Sequence, residues 1–199
     1  MSDQHAADRR VRRTQAHLHG ALASLVHEKA YGDIAVKEIL ARADVARSTF
    51  YAHYQDKDDL LERGMRDLLR GEGARAAARG TNATDRILAF SLPFLEHVGA
   101  CRQSNGGALA AERGAALHDR LGCVLVQHVG EVLDDELRRR PERGGAVPGE
   151  LLARFVAASF VATLRWWFEH PAPGAREVDA YFRALVRPTL DATLDPPSC

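Results

Sequence analysis

Between residues 47 and 57 the chain reads Arg-Ser-Thr-Phe-Tyr-Ala-His-Tyr-Gln-Asp-Lys. At helical spacing this segment has two faces. Phe50 and Tyr54, four apart, form an apolar side, while Arg47, Ser48, Thr49, Tyr51 and His53 carry hydrogen-bond donors on the other. Guanidinium, hydroxyl, phenol and imidazole groups in such a row suit phosphate oxygens and base edges. Lys37 and Lys57 add point charges on either side, and Lys57 opens the next helix, whose first N–H groups also favour an anion. Upstream lie Arg9, Arg10, Arg12 and Arg13, an arm suited to following a phosphate backbone or entering a minor groove.

Two short helices must position these side chains. Residues 36–43 form the first, with Ile39 and Leu40 inward. Residues 47–54 form the second, with Phe50 and Tyr54 inward and Val45 plugging the joint. Two such helices joined by about three residues make a helix-turn-helix. In its nucleic-acid-binding form the start of the second helix enters the major groove. The alternative is a solvated charged face on an ordinary bundle. Bulk charge does not separate the two, because residues 1–60 hold nine basic and nine acidic side chains. Only placement carries the signal.

The run Glu28-Lys29-Ala30-Tyr31, then Val36-Lys37-Glu38-Ile39, then residues 43–54 with their Ser48-Thr49-Phe50-Tyr51-Ala52-His53-Tyr54 core, then Lys57-Asp58-Asp59-Leu60-Leu61, resembles the N-terminal domain of TetR-family transcriptional regulators. The close resemblance covers about residues 9–69. It implies a homodimeric DNA-binding protein, usually a repressor, whose C-terminal domain binds a small effector. Carried over by position, Arg47, Ser48 and Thr49 would lie nearest the bases. Tyr51 and His53 would contact phosphates, Lys57 would anchor the backbone, and Lys37 would flank the site. Three positions depart from the family pattern. Ala35 stands where Thr usually starts the second helix, and Ala46 where Ser or Thr usually caps the recognition helix; each loses a side-chain cap worth about 0.5–2 kcal/mol. Asp44 stands where Gly is common, and Asp tolerates a positive φ better than most residues.

The rest of the chain is less legible. Its 199 residues carry 27 basic and 27 acidic side chains and are 46% hydrophobic, which are globular proportions. No uncharged apolar run reaches the roughly 18–20 residues of a membrane span, and the N-terminus shows no signal-peptide core, so a cytoplasmic location is expected. Cys101, Cys123 and Cys199 are odd in number and contain no C-x-x-C pair, against a disulfide framework or a zinc knuckle. Apolar residues recur at three and four throughout, as in Leu18, Leu22 and Leu25 or Leu117, Leu121 and Val124. That spacing predicts an all-α fold of about nine helices. Gly71, Gly73 and Gly80 mark a loosened zone, which sets the expected domains at 1–70 and 71–199; the resemblance implies DNA binding for the first and effector binding and dimerisation for the second.

Residues 151–168 are apolar except for Arg154, Ser159, Thr163 and Arg165. A helix of this composition is buried nearly all round. Phe155, Ser159 and Trp166 form one stripe, and Val156, Phe160 and Trp167 the adjacent one. One should face the subunit's own core and the other a partner; Val156, Phe160 and Trp167, with Tyr181 and Leu185 of the last helix, are taken as the dimer candidates. Pro188 should kink or shorten that last helix. Pro93 should free a carbonyl and bend its own helix. The resemblance also implies an effector pocket. Its candidate lining is Phe94, His97, Cys101, Leu125, His128 and Trp166, each of which also reads as ordinary packing. His118-Asp119 reads as a dipeptide on a solvated helix face.

Two other functions remain open at this stage. The chain lacks G-x-G-x-x-G, P-loop, G-x-S-x-G and H-E-x-x-H motifs, so an enzyme is not expected, nor a cofactor or metal. A helical ligand-binding or scaffold protein that keeps the fold without operator binding is the closer competitor. The expected partners are a double-stranded DNA operator, a small-molecule effector and a second copy of the chain, with no membrane.

Overall fold

The computed structural model describes residues 2–77, 82–104, 115–139, 147–170 and 172–194. Among them are nine α-helices and no strand: α1 (Ser2–Glu28), α2 (Val36–Ala43), α3 (Arg47–Tyr51), α4 (Lys57–Ala77), α5 (Ala83–Ile87), α6 (Ser91–Ser104), α7 (Ala115–Arg138), α8 (Gly149–Glu169) and α9 (Ala175–Leu194). Short 3-10 turns at Tyr31–Asp33 and Leu88–Phe90 complete the order. The expected turn at 105–107, most of the loop at 141–149 and the tail after Leu194 lie outside the described residues.

Backbone packing divides the chain into two compact units, one built on Met1–Gly64 and the other on Met65–Ala100 with Leu117–Cys199. Helix α4 does not break at the glycines near residue 71; it continues to Ala77. A single glycine weakens a helix by about 1 kcal/mol, too little to interrupt one held at its other residues.

The first unit closes around one apolar cluster. Leu18, Leu22 and Leu25 of α1 meet Ile39 and Ala43 of α2, Phe50 of α3, Tyr54 and Leu60, all buried. Helical spacing on each element puts these residues on one side, and burial of each large side chain stabilises by about 1.5–3 kcal/mol. Val36, Leu40, Val45 and Leu61 pack at its margin.

The second unit has an aromatic centre. Phe160 of α8 lies 5.1 Å from Phe90, 5.5 Å from Phe94 and 5.1 Å from Phe182, all edge-to-face. Leu125 and Val129 of α7, and Val178 and Val186 of α9, are buried with them. Polar ties hold the rim. Ser91 Oγ and Arg183 Nε both donate to the buried Asp179 carboxylate, at 2.5 and 2.7 Å. Arg86 forms a two-pronged pair with buried Glu136 at 2.6 and 2.5 Å. A buried carboxylate held this way avoids the penalty of an unpaired charge.

Three sequence expectations change here. Helix α8 is not buried all round: Leu151, Phe155 and Trp166 are exposed, while Val156, Phe160 and Trp167 are buried in the subunit's own core. The stripe taken for the dimer face is thus the core face. Trp167 closes it by donating its indole N–H to the carbonyl of Pro173 at 2.8 Å. Pro188 does not end α9, which runs on to Leu194 with Pro188 on its exposed side. Pro93 lies in the first turn of α6, where a missing N–H is tolerated, and the irregularity falls just before it at Leu88–Phe90. By length and composition α8 would also suffice to cross a membrane, with a mean hydropathy of 1.3 over its best window. Of that window 44% is buried within the second unit.

Candidate nucleic-acid interface

Helix α2 starts without a side-chain oxygen at Ala35, so only the Glu38 half of a capping pattern forms: the Ala35 N–H donates to Glu38 Oε2 at 2.9 Å. Glu38 also accepts from Lys29 Nζ at 2.5 Å. The Glu38 N–H that a Thr oxygen would accept goes instead to the Ala35 carbonyl at 3.0 Å. Asp44 ends α2 in the left-handed region, φ 52° and ψ 49°, as its side chain allows. Ala46 then begins α3 with no side-chain cap. Regular helix covers Arg47–Tyr51, shorter than the expected 47–54, although the Tyr54 N–H still reaches the Phe50 carbonyl at 2.8 Å.

Phe50 and Tyr54 turn into the core, and α3 presents its other side to solvent. Arg47, Ser48 and Tyr51 are exposed; Thr49 and His53 are half-buried. The Arg47 guanidinium lies 5.4 Å from the Tyr51 ring centroid, a cation–π contact that holds both side chains over the helix surface. Lys37 is exposed in the first turn of α2. Two other nearby cations are used internally: Arg42 makes a two-pronged pair with Glu28, one arm at 2.9 Å, and Lys29 is held by Glu38. The hydrogen bonds from Arg42 and Lys29 hold Glu28 and Glu38 below the usual carboxylate range, so both stay ionised. Each ion pair offsets one cation with one anion and leaves the net charge unchanged.

Lys57 departs from its expected place. Its ammonium donates to the carbonyls of Tyr31, Gly32 and Ile34 at 2.8, 3.0 and 2.8 Å. An ammonium has three N–H groups, so all three are engaged. The nitrogen also lies 4.8 Å from the Tyr31 ring centroid. The start of α4 is likewise occupied. Asp56 Oδ1 accepts the N–H groups of Asp58 and Asp59, both at 2.8 Å, and Asp59 Oδ2 accepts the Gln55 N–H at 3.1 Å. The expected phosphate site at this helix start is filled by the chain's own carboxylate. Asp56 and Tyr31 were missed in the sequence. Asp56 was readable as a cap three residues before Asp59; Tyr31, whose hydroxyl donates to Asp58 at 2.5 Å, was not.

The expected effector residues are divided between the core and the surface. Phe94 and Leu125 are core residues, and His128 stands edge-on to Phe90 at 5.9 Å. His97 is on the exposed side of α6, and Trp166 faces outward, stacked on His170 at 4.8 Å. Cys101 lies in α6, but its side chain is outside the described residues. His118, expected on a solvated face, is 2% exposed, and among the described residues neither ring nitrogen has a hydrogen-bond partner.

This surface, on this all-α scaffold, defines a helix-turn-helix protein. Residues 20–63 match the family model described as bacterial regulatory proteins, tetR family. The match covers the helix-turn-helix segment, well under half of the chain. Over 56 residues, 28% of this chain, the sequence is 39% identical to the uncharacterized HTH-type transcriptional regulator YxbF of Bacillus subtilis, and the match spans 15% of that protein's length. Among solved structures, a putative TetR-family transcriptional regulator from Rhodococcus sp. superposes with a TM-score of 0.59 at 16% identity, covering 92% of this chain and 100% of that one. A TetR transcriptional regulator from Streptococcus agalactiae gives 0.54 at 24% identity, covering 92% and 98%. At these identities the likeness establishes the fold alone, over the 92% of the chain that is covered.

Proposed function

We propose that the chain is a homodimeric transcriptional regulator, most simply a repressor, that binds a near-palindromic operator and is released by a small-molecule effector. The observation that carries this is α3, with Arg47, Ser48 and Tyr51 exposed on a helix whose opposite face is locked by Phe50 and Tyr54. The donors are held outward on a rigid support, as base-edge and phosphate reading requires. Residues 1–70 are the DNA-binding domain in this reading and 71–199 the effector and dimer domain. Such a protein works in the cytoplasm.

The dimer face is the exposed apolar stripe of Leu151, Phe155 and Trp166 on α8, with Tyr181 and Leu185 on α9. Leu185 is 68% exposed and Leu151 58%. Packed against its symmetry mate, this pair of helices makes a self-complementary four-helix interface. Two recognition helices about one DNA turn apart then match two half-sites. An effector that binds the two dimer states unequally shifts their populations. The solved structure of RolR, which shares this fold at a TM-score of 0.55, holds resorcinol. That supports a small organic effector as a class and no particular compound.

Selection from a random duplex pool tests the reading. The expected product is an inverted repeat with half-sites roughly 10 base pairs apart. A pool that stays random through successive rounds would favour the scaffold reading.

A further inference from the structure

On the reading that α3 binds DNA, we infer that Lys57 is a positioning residue and not a phosphate contact. Phosphate neutralisation then falls to Lys37, Arg47 and the arginines at the start of α1.

The geometry is specific. Residues 31–34 lead the chain into the helix-turn-helix, and Lys57 is the first residue of the helix that leaves it. Three carbonyls at the entry converge on the ammonium at the exit. The motif is closed at both ends by one side chain. The adjoining Tyr31 hydroxyl, donating to Asp58, adds a second tie between the same two segments. A phosphate reaching Lys57 would have to displace hydrogen bonds from three carbonyl dipoles, and it would do so beside Asp56, Asp58 and Asp59. The backbone groups that would have helped it, the N–H groups of Asp58 and Asp59, are already held by Asp56. Arg47 and Lys37 are exposed and face none of these obstacles. The latch fixes the angle at which α2 and α3 stand on α4, and so acts on DNA only through them.

The chain has three lysines, Lys29, Lys37 and Lys57, so acetylation by acetic anhydride followed by mass spectrometry reads each separately. In the free protein Lys57 should react at least about tenfold more slowly than Lys37, since opening three charge-assisted hydrogen bonds exceeds the roughly 1.4 kcal/mol of one decade. Adding the selected operator duplex should slow Lys37 and leave Lys57 unchanged. Lys57 reacting as fast as Lys37 in the free protein, or becoming protected only when DNA is present, would overturn the inference.

A second arm uses salt dependence. Lys37→Met should lower the slope of log affinity against log salt by about 0.9, the value for one phosphate contact. Lys57→Met should weaken binding with the slope unchanged; a slope lowered as in Lys37→Met would contradict the latch. Should Lys57→Met not fold, the labelling of the wild-type protein decides. Should no duplex be bound selectively, the DNA reading fails, while the Lys57-to-Lys37 rate ratio in free protein still tests the latch.

Discussion

Phe50 and Arg47 stand three residues apart on α3 and do opposite things. Phe50 is fully buried and touches Tyr51 and Tyr54 at centroid distances of 5.2 and 5.6 Å. Its truncation to Ala should cost about 3–5 kcal/mol, read as a collapse of the denaturant midpoint. Arg47→Ala should leave stability within about 0.5 kcal/mol and lower operator affinity by about 1–3 kcal/mol. If Arg47→Ala binds the operator normally, the surface assigned to DNA is wrong. Residue types and spacing were enough to separate these two roles, because four-residue spacing alone puts Phe50 and Tyr54 together. Lys57 was not legible that way. Its carbonyl partners come from a turn 23–26 residues earlier, and backbone carbonyls leave no mark in a sequence.

At the scale of elements, α3 is the weakest helix of the first unit. It is five residues long and starts at Ala46 with no cap. Ala46→Ser should supply the missing acceptor and stabilise the domain by about 0.5–1 kcal/mol, measured as a rise in denaturant midpoint; no rise would mean that the Ala46 geometry cannot present an oxygen to the first turn. Helix α8 shows where reading by element fails. Its two apolar stripes are adjacent, and nothing in their periodicity says which one meets the core. The structure decides through volume: Phe160 sits among Phe90, Phe94 and Phe182, and Trp167 finds the Pro173 carbonyl. The opposite stripe is left exposed with Tyr181 and Leu185. On the proposed dimer, Leu185→Arg should therefore give a monomer in sedimentation equilibrium while its helical circular dichroism stays intact. A dimer unaffected by this change would move the interface elsewhere.

The whole molecule carries an acid-sensitive element in two histidines, of which the sequence reading placed only His118 on the surface. Burial pushes the imidazoles of His118 and His128 below the usual histidine range, with Arg165 adding to the effect at His118. Both are thus favoured neutral in the folded state, while the unfolded chain takes up protons near pH 6.5. Stability from this source is complete above about pH 6.5 and is lost as pH falls below it, because the unfolded state then binds more protons. Chemical denaturation between pH 7.5 and 5.5 should show that decline, and His118→Phe should make it shallower, with the His128 share remaining, without lowering stability at pH 7.5. An equal decline in the variant would assign the effect to other groups. The fold class was legible throughout because helical spacing is local. The placement of Phe94 and Leu125 in the core and of Trp166 at the surface was not, since burial of that kind depends on how helices far apart in sequence meet.

The central claim, that the α3 surface reads DNA, is tested most directly by fluorescence anisotropy against duplex from the region upstream of the protein's own gene, beside a scrambled duplex, at two salt concentrations. The account predicts tight binding to the first duplex that weakens steeply with salt and is much weaker on the scrambled one. Equal binding to both, with affinity nearly flat in salt, would contradict it.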